Sequence, residues 1–387
     1  MSLHLLVAIS SHGFGHLAQV APVINALGDM ESAKEIPGFE LTVRSSLPER
    51  QIGWRIKHPF NLDSGSDDFG MVMRDALTVD MTQSLRRYAL LHQNWSSAVD
   101  RLAAHLQSLN VSHLLADTPY LTLAAAQSSG IPAAAICSLN WADILEQCAR
   151  LAPEALKEAG LSGSFLKRIL QQMRDAYASA AIVIRPEPAI ETTGFTTVST
   201  EPLADKPPAA DRSRLLDFVR QATGNYLSGK RDCWLVLASM GGIALPLNPE
   251  SWPTECLGRK VIYLMDPGLA RQCPHAVGFE LERVGFADMM ASSDLVLTKP
   301  GYGMFVESRA CGKPVLYIGR DDWPESACLE QWIDEQSQAR KLSLAQVVTG
   351  TFEHEMAQVL QSHRVQRVDF SGARTAARLI ASKLFAH

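Results

Sequence analysis

The run His12-Gly13-Phe14-Gly15-His16 places two imidazoles around two glycines near the start of the chain. Histidine is the side chain whose ordinary pKa lies nearest neutrality, so this loop suits proton transfer better than it suits a cofactor cradle. A second chemical group is Lys299-Pro300-Gly301-Tyr302-Gly303 followed by Glu307. A cation and glycine-rich backbone can face a phosphate, and a carboxylate about one helical turn further on can accept from ribose hydroxyls. A third is the pair Gly241-Gly242, which follows Ser239-Met240 and could form a backbone anion nest. Asp117 is a further candidate with three open roles: orienting His16, acting as the base itself, or capping a helix before Pro119.

The elements that must carry these residues are legible in outline. Residues 3–10 form a near-continuous apolar strand, and after the histidine loop Val20, Val23, Ile24 and Leu27 recur at helical spacing. Residues 295–297 form another short apolar run, broken by Pro300 and Gly301 and resumed as a helix that ends near Gly312. Both loops therefore sit where a strand hands over to a helix, and open α/β sheets bind ligands at that rim. Gly13, Gly15 and Ala18 also satisfy the dinucleotide pattern G-x-G-x-x-[GA]. The ribose-binding acid of that pattern is expected about twenty positions on. Strand 39–43 ends instead at Arg44-Ser45-Ser46, which leaves an NADP reading through Arg44 and weakens an NAD one.

At 387 residues the chain exceeds one comfortable core. The reading is α/β: two Rossmann-like doubly wound domains facing a cleft. The boundaries are 1–205 for the first α/β domain, 206–365 for the second, and 366–387 for a C-terminal helix able to pack back on the first. Strands are expected at 3–10, 39–43, 113–116, 133–137 and 181–184, then at 233–238, 261–264, 295–297 and 315–318. Helices are expected at 81–109, 303–311, 324–336, 344–362 and 372–385, with a proline-dense linker over 185–214. A net charge of −5 without a Lys/Arg run argues against nucleic-acid binding. No apolar segment is long enough to span a bilayer and the start lacks a signal-peptide pattern, so a cytoplasmic protein is expected. The 7 cysteines are scattered without a C-x-x-C, which suits a reducing compartment and offers no zinc site.

Taken together, these motifs resemble GT-B glycosyltransferases, most closely those related to the peptidoglycan-precursor N-acetylglucosaminyltransferase. The resemblance covers nearly the whole chain. It rests on the histidine loop, on Met240-Gly241-Gly242, on Gly285-Phe286-Ala287-Asp288-Met289, and on Lys299 through Glu307 to Gly312-Lys313-Pro314. A closer similarity is to the glycosyltransferase-like N-terminal portion of plant-type arabinose kinases. It shares the H-G-F-G-H loop, the K-P-G-Y-G turn and a run like Arg320, Glu325 and Leu329. What the resemblance implies can be carried over residue by residue. Glu307 would hold the donor ribose and the backbone at Phe286 would read the base. Gly241, Gly242 and the turn of Gly301, Tyr302 and Gly303 would cradle the diphosphate. Glu325 would touch the donor sugar and His16 would face the acceptor hydroxyl. Relatives of the bacterial enzyme carry Arg-Ser-Gly where this chain has Lys299-Pro300-Gly301, a point charge in place of a bidentate fork.

The expected activity is transfer of a hexosyl or N-acetylhexosaminyl group from a nucleotide-diphosphate sugar, UDP-linked by the resemblance, to an unidentified hydroxyl. No Asp-x-Asp is present, so the leaving group is expected to be stabilised by Lys299 and helix N-termini, without metal or cofactor. A sugar-nucleotide epimerase, a non-catalytic nucleotide-sugar module and an NADP oxidoreductase are the alternatives. On the acceptor side lie Asn140 and Trp141, the latter able to stack on a sugar if exposed. A helix over 165–180 carries Phe165, Ile169, Met173 and Tyr177 on one face and Lys167 and Arg174 on another. It reads either as a buried helix with a solvated basic side or as a surface for a membrane and a lipid-linked acceptor.

Overall fold

The computed structural model describes residues 3–75, 77–224, 233–241, 247–271, 273–361 and 366–385. The chain divides into two compact units. The first comprises Met1–Leu203, Asp322–Glu325 and Phe370–His387, the second Ala204–Asp321 and Ser326–Asp369.

The first unit is built on strands β1 (Leu3–Ile9), β2 (Phe39–Ser45), β3 (Asn61–Ser64), β4 (His113–Asp117), β5 (Ala133–Ile136), β6 (Ile182–Pro186) and β7 (Val198–Thr200). They lie in the order β3-β2-β1-β4-β5-β6-β7 and every pairing is parallel. A parallel strand is covered on both faces, which is why β1 is a continuous apolar run. Leu5, Leu6, Val7, Ala8 and Ile9 are each at most 1% exposed. Each large aliphatic side chain so buried contributes roughly 1.5–3 kcal/mol. The helix Phe14–Ser32 follows β1 and buries every residue from Leu17 to Leu27. The helix Gly372–Leu384 packs against it. The strand order reverses at β1, which leaves a crevice beyond the carboxyl ends of β1 and β4.

The second unit repeats the plan with β8 (Cys233–Ser239), β9 (Glu255–Cys256), β10 (Arg259–Met265), β11 (Ala276–Gly278), β12 (Leu295–Thr298), β13 (Val315–Ile318) and β14 (Ala339–Leu342). The order is β11-β10-β8-β12-β13-β14, with β9 antiparallel on β10. Here the reversal falls between β8 and β12.

All nine expected strands form, and the interior run 315–318 keeps its expected bounds. Three other expectations are corrected. The single helix over 81–109 is two, Met81–Gln93 and Trp95–Ser108, because Asn94 leaves the helical region at φ −108, ψ 24. The helix over 344–362 is also two, Leu344–Thr349 and Glu353–Gln361, with Gly350 at φ +73 ending the first. The stretch 185–214 is more than a linker: it holds the end of β6, all of β7 and the start of the helix Arg212–Thr223.

Candidate functional site

The histidine loop and Asp117 meet at the reversal point of the first sheet. β1 and β4 are in register with Ile9 opposite Asp117, and the next amide, Ser10, donates to the Asp117 carbonyl at 2.7 Å. The chain then needs only Ser11, His12 and Gly13 to turn into the helix Phe14–Ser32, so His16 falls in the first helical turn. Its Nδ1 lies 2.9 Å from Asp117 Oδ1. A carboxylate accepts only, so Nδ1 carries the proton and Nε2 keeps its lone pair. The imidazole is 11% exposed and the carboxylate 0%. Asp117 Oδ2 has no hydrogen-bond partner, and the following helix, Tyr120–Ser128, is capped by Pro119. Of the three open roles for Asp117, the geometry matches orientation of His16.

Burial lowers the affinity of this imidazole for a proton. Asp117 beside it, and beyond it Asp68 and Glu325, reverse that, so His16 titrates above its ordinary 6.5. Burial pushes the Asp117 carboxyl upward as well, against the pull of the imidazole. The pair is thus arranged to hold one proton between two groups that both favour having it.

His12 plays a different part. Its ring stacks on Trp323 with centroids 5.5 Å apart and meets the edge of Trp141 at 5.2 Å. It is a packed loop histidine. Glu325 is 6% exposed, accepting from Ser138 Oγ at 3.0 Å and Trp323 Nε1 at 3.3 Å. Ser138, Trp323 and Glu325 all belong to the first unit, as His16 does. Gly13 and Gly15 have nothing within 4 Å of an added Cβ, so their small size leaves open space at the loop.

The second unit places its candidates at its own reversal point. Ser239 and Thr298 are in register, and Thr298 Oγ1 donates to the Ser239 carbonyl at 2.7 Å. Gly241 adopts φ +79, a conformation glycine takes without strain, and a Cβ there would lie 3.6 Å from Lys299 Cε. The turn of β8 and the lysine after β12 are therefore neighbours. Gly242 lies outside the described residues. Gly301 precedes the helix Tyr302–Ala310, which has no side-chain cap, and Glu307 is half-buried within that helix. Tyr302 is 4% exposed and Gly303 is buried, so this turn can serve a ligand through its backbone. Phe286 opens the helix Phe286–Ser292, its half-buried ring edge-on to Phe279 at 5.8 Å.

Several alternatives that the sequence left open fail on physical grounds. Arg44 cannot serve a cofactor phosphate. Its Nε and Nη2 bond both oxygens of Asp67 at 2.6 and 2.7 Å, and its Nη1 bonds Asp63 at 2.6 Å. The NADP reading loses its cation. Trp141 is 0% exposed and gives its indole N–H to Asp68, so it cannot stack on a sugar. Asn140 caps the helix Trp141–Leu151. In the helix Gly163–Ala178, Ile169, Met173 and Tyr177 are buried and Arg174 is paired with Asp143 and Glu146, so the apolar face is core and not a membrane surface. Sequence reading also missed Asp68, Ser10 and Gly70. The one available signal was the polar, glycine-bearing run Ser64-Gly65-Ser66-Asp67-Asp68-Phe69-Gly70, typical of a working loop.

Among the described residues no group of three or more His, Cys, Asp or Glu side chains could hold a metal ion, and no helix is long and apolar enough to cross a membrane. No protein-family model matches the chain. The L-arabinokinase of Arabidopsis thaliana is 23% identical over 348 residues, spanning 86% of this chain and 30% of its own length. Solved structures match over the whole chain at low identity. The glycosyltransferase VinC in complex with dTDP is 12% identical with a TM-score of 0.52, covering 99% of this chain and 96% of its own. A UDP-glucosyltransferase from Polygonum tinctorium is 14% identical with a TM-score of 0.54, covering 100% and 99%. A Phytolacca americana protein complexed with UDP-2-fluoro-glucose and pterostilbene is 14% identical with a TM-score of 0.52, covering 99% and 94%. With its two sheets, parallel throughout but for β9, this chain has the GT-B glycosyltransferase fold.

Proposed function

We propose that the protein is a glycosyltransferase that moves a sugar from a nucleotide-diphosphate donor, UDP-linked, to an acceptor hydroxyl without a metal ion. The observation that carries this reading is the His16–Asp117 pair at the reversal point of the first sheet, with Nε2 of the imidazole left to accept a proton. Nε2 takes the acceptor hydroxyl proton as the oxygen forms its bond to the anomeric carbon. The bond from that carbon to the diphosphate oxygen breaks, and its electron pair leaves on the diphosphate. Asp117 holds the imidazole in orientation and stabilises the imidazolium that results.

The donor residues are those of the second unit. The N–H groups at the start of Tyr302–Ala310, with Gly241 and Gly242, receive the diphosphate. Lys299 offsets the charge that grows on the leaving oxygen. Glu307 accepts from the ribose and the backbone at Phe286 reads the base. A hexosyl or N-acetylhexosaminyl donor is the reading that the motif resemblance to N-acetylglucosaminyltransferases supports. Six of the seven cysteines are buried thiols, which supports a cytoplasmic reading.

The test is a thermal-shift panel of nucleoside diphosphates, nucleotide sugars and NADPH, followed by product analysis with the sugar that binds, with and without EDTA. Native-state binding raises the melting temperature by linkage. UDP and one UDP-sugar should shift the melt, and the sugar should appear on an added acceptor in EDTA as well. A shift with NADPH alone, an epimerised donor, or transfer abolished by EDTA and restored by magnesium would overturn the reading.

A further inference from the structure

Asp68 lies on the segment between β3 and the helix Met81–Gln93 and is 8% exposed. Both of its oxygens are held: Oδ1 accepts from Ser10 Oγ at 3.0 Å and Oδ2 from Trp141 Nε1 at 2.6 Å. Ser10 is the residue that carries β1 into the histidine loop. The Trp141 ring lies 5.7 Å from that of His16 and 5.2 Å from that of His12. Two residues on, Gly70 adopts φ +59, and a Cβ there would come within 2.6 Å of Trp141 and 2.7 Å of His12. The segment thus closes against His12 and Trp141, and Asp68 bonds the indole whose ring lies beside both histidines.

We propose that Asp68 is a positioning residue for His16: through Trp141 and Ser10 it fixes the bed of the imidazole, and it presents a second negative charge, beyond Asp117, to the imidazolium formed during transfer. The inference rests on the reading of His16 as the base. The other groups that face Asp68 do not compete for its charge. Its neighbour Asp67 is taken up by Arg44 and Thr122. Tyr88 gives its hydroxyl proton to the Gly70 carbonyl, Tyr177 gives its own to the Thr118 carbonyl, and the Tyr120 hydroxyl pairs with His92. Around His16 the remaining carboxylates are Asp117 and Glu325.

Burial pushes the Asp68 carboxyl up to about 6, against the pull of His16 and of its two donors. A folded-state pKa above the unfolded value means that the native state binds the extra proton between the two. The stabilisation belongs to the protonated form and is lost as pH rises through about 6. At pH 7.5 the buried charge therefore weighs against folding. A residue kept only for structure would be better served by asparagine, which has the same size and can still accept from Trp141.

The experiment is Asp68→Asn in the full chain, read three ways. The first is the His16 titration followed by NMR without substrates. It should fall by roughly one unit, the low end of what a nearby opposite charge produces. The second is the melting temperature at pH 7.5, which should equal or exceed that of the wild type. The third is the single-turnover rate, expected to fall about tenfold with donor affinity unchanged, as for a group acting on the transition state. An unmoved His16 titration overturns the proposal, and so does a variant that melts lower or fails to fold. A shifted titration in a protein that transfers no sugar would uphold the coupling of Asp68 to His16 and reject the transferase reading instead.

Discussion

Asp117→Asn removes one charge from beside His16 and changes little else in size. The wild-type contact is 2.9 Å long, to a carboxylate with no exposure to water. When His16 accepts a proton this becomes a charge-assisted hydrogen bond, which contributes roughly 1.5–3 kcal/mol. The bond strengthens only as the imidazolium forms, so its loss appears in the barrier. At about 1.36 kcal/mol per tenfold, the single-turnover rate should fall by about 10–150-fold. A larger loss, toward about 10⁴, follows if the asparagine turns its amide N–H to Nδ1. The imidazole proton then moves to Nε2 and general-base catalysis is gone. The acid limb of the rate profile should also move to lower pH, because the largest force raising the His16 pKa has been removed. The assay is rapid-quench single turnover at saturating donor across pH 5–9, with donor affinity by calorimetry on the same sample. A rate within about threefold of wild type, or a loss matched by lost donor affinity, would refute the role given to Asp117.

Three further outcomes are expected. Glu307→Ala should weaken UDP binding by the roughly 1.5–3 kcal/mol of a charge-assisted contact to two hydroxyls, read by calorimetry, with the melting curve unchanged. Gly70→Ala combines a left-handed backbone with a Cβ driven into Trp141 and His12. It should lower stability to chemical denaturation by about 2–5 kcal/mol, and a loss under about 1 kcal/mol would show that the loop yields freely. His92, 3% exposed between Gln172 and Tyr120, is held by burial down to about 4 from 6.5. The unfolded chain takes up this proton first, so stability is intact above 6.5 and falls as pH drops toward 4, by about 3 kcal/mol for this residue. Denaturation of His92→Gln across that window should show a shallower loss.

The parts of the fold that the sequence displayed best are the interior strands. β1, β4, β5, β8, β12 and β13 are covered on both faces, so they must be apolar runs, and such runs stand out without an alignment. The missed strands are β3, β7, β9, β11 and β14, all at or beside a sheet margin. Asn61–Ser64 and Val198–Thr200 are short and largely exposed, so nothing in their composition demands burial. The break at Asn94 was missed because both helices carry apolar faces that run on through it. At the site, His16 and Asp117 were legible because Asp117 ends an apolar strand and His16 follows another by a short glycine loop, and parallel strands gather their carboxyl ends at one rim. Asp68 was not, because it lies outside any regular element and owes its place to Ser10 and Trp141, which are distant in sequence. Arg44 was misread for a similar reason: the carboxylates that occupy it come from Asp63 and Asp67 on the following strand and loop.

The most direct test is His16→Ala, with donor affinity and single-turnover rate measured on one preparation. The proposed donor residues lie in the second unit, so UDP-sugar should bind within about threefold of wild type. The rate should fall by about 10²–10⁴, and its acidic limb should disappear with the base. A rate unchanged by the substitution, or donor binding lost along with it, would contradict the account.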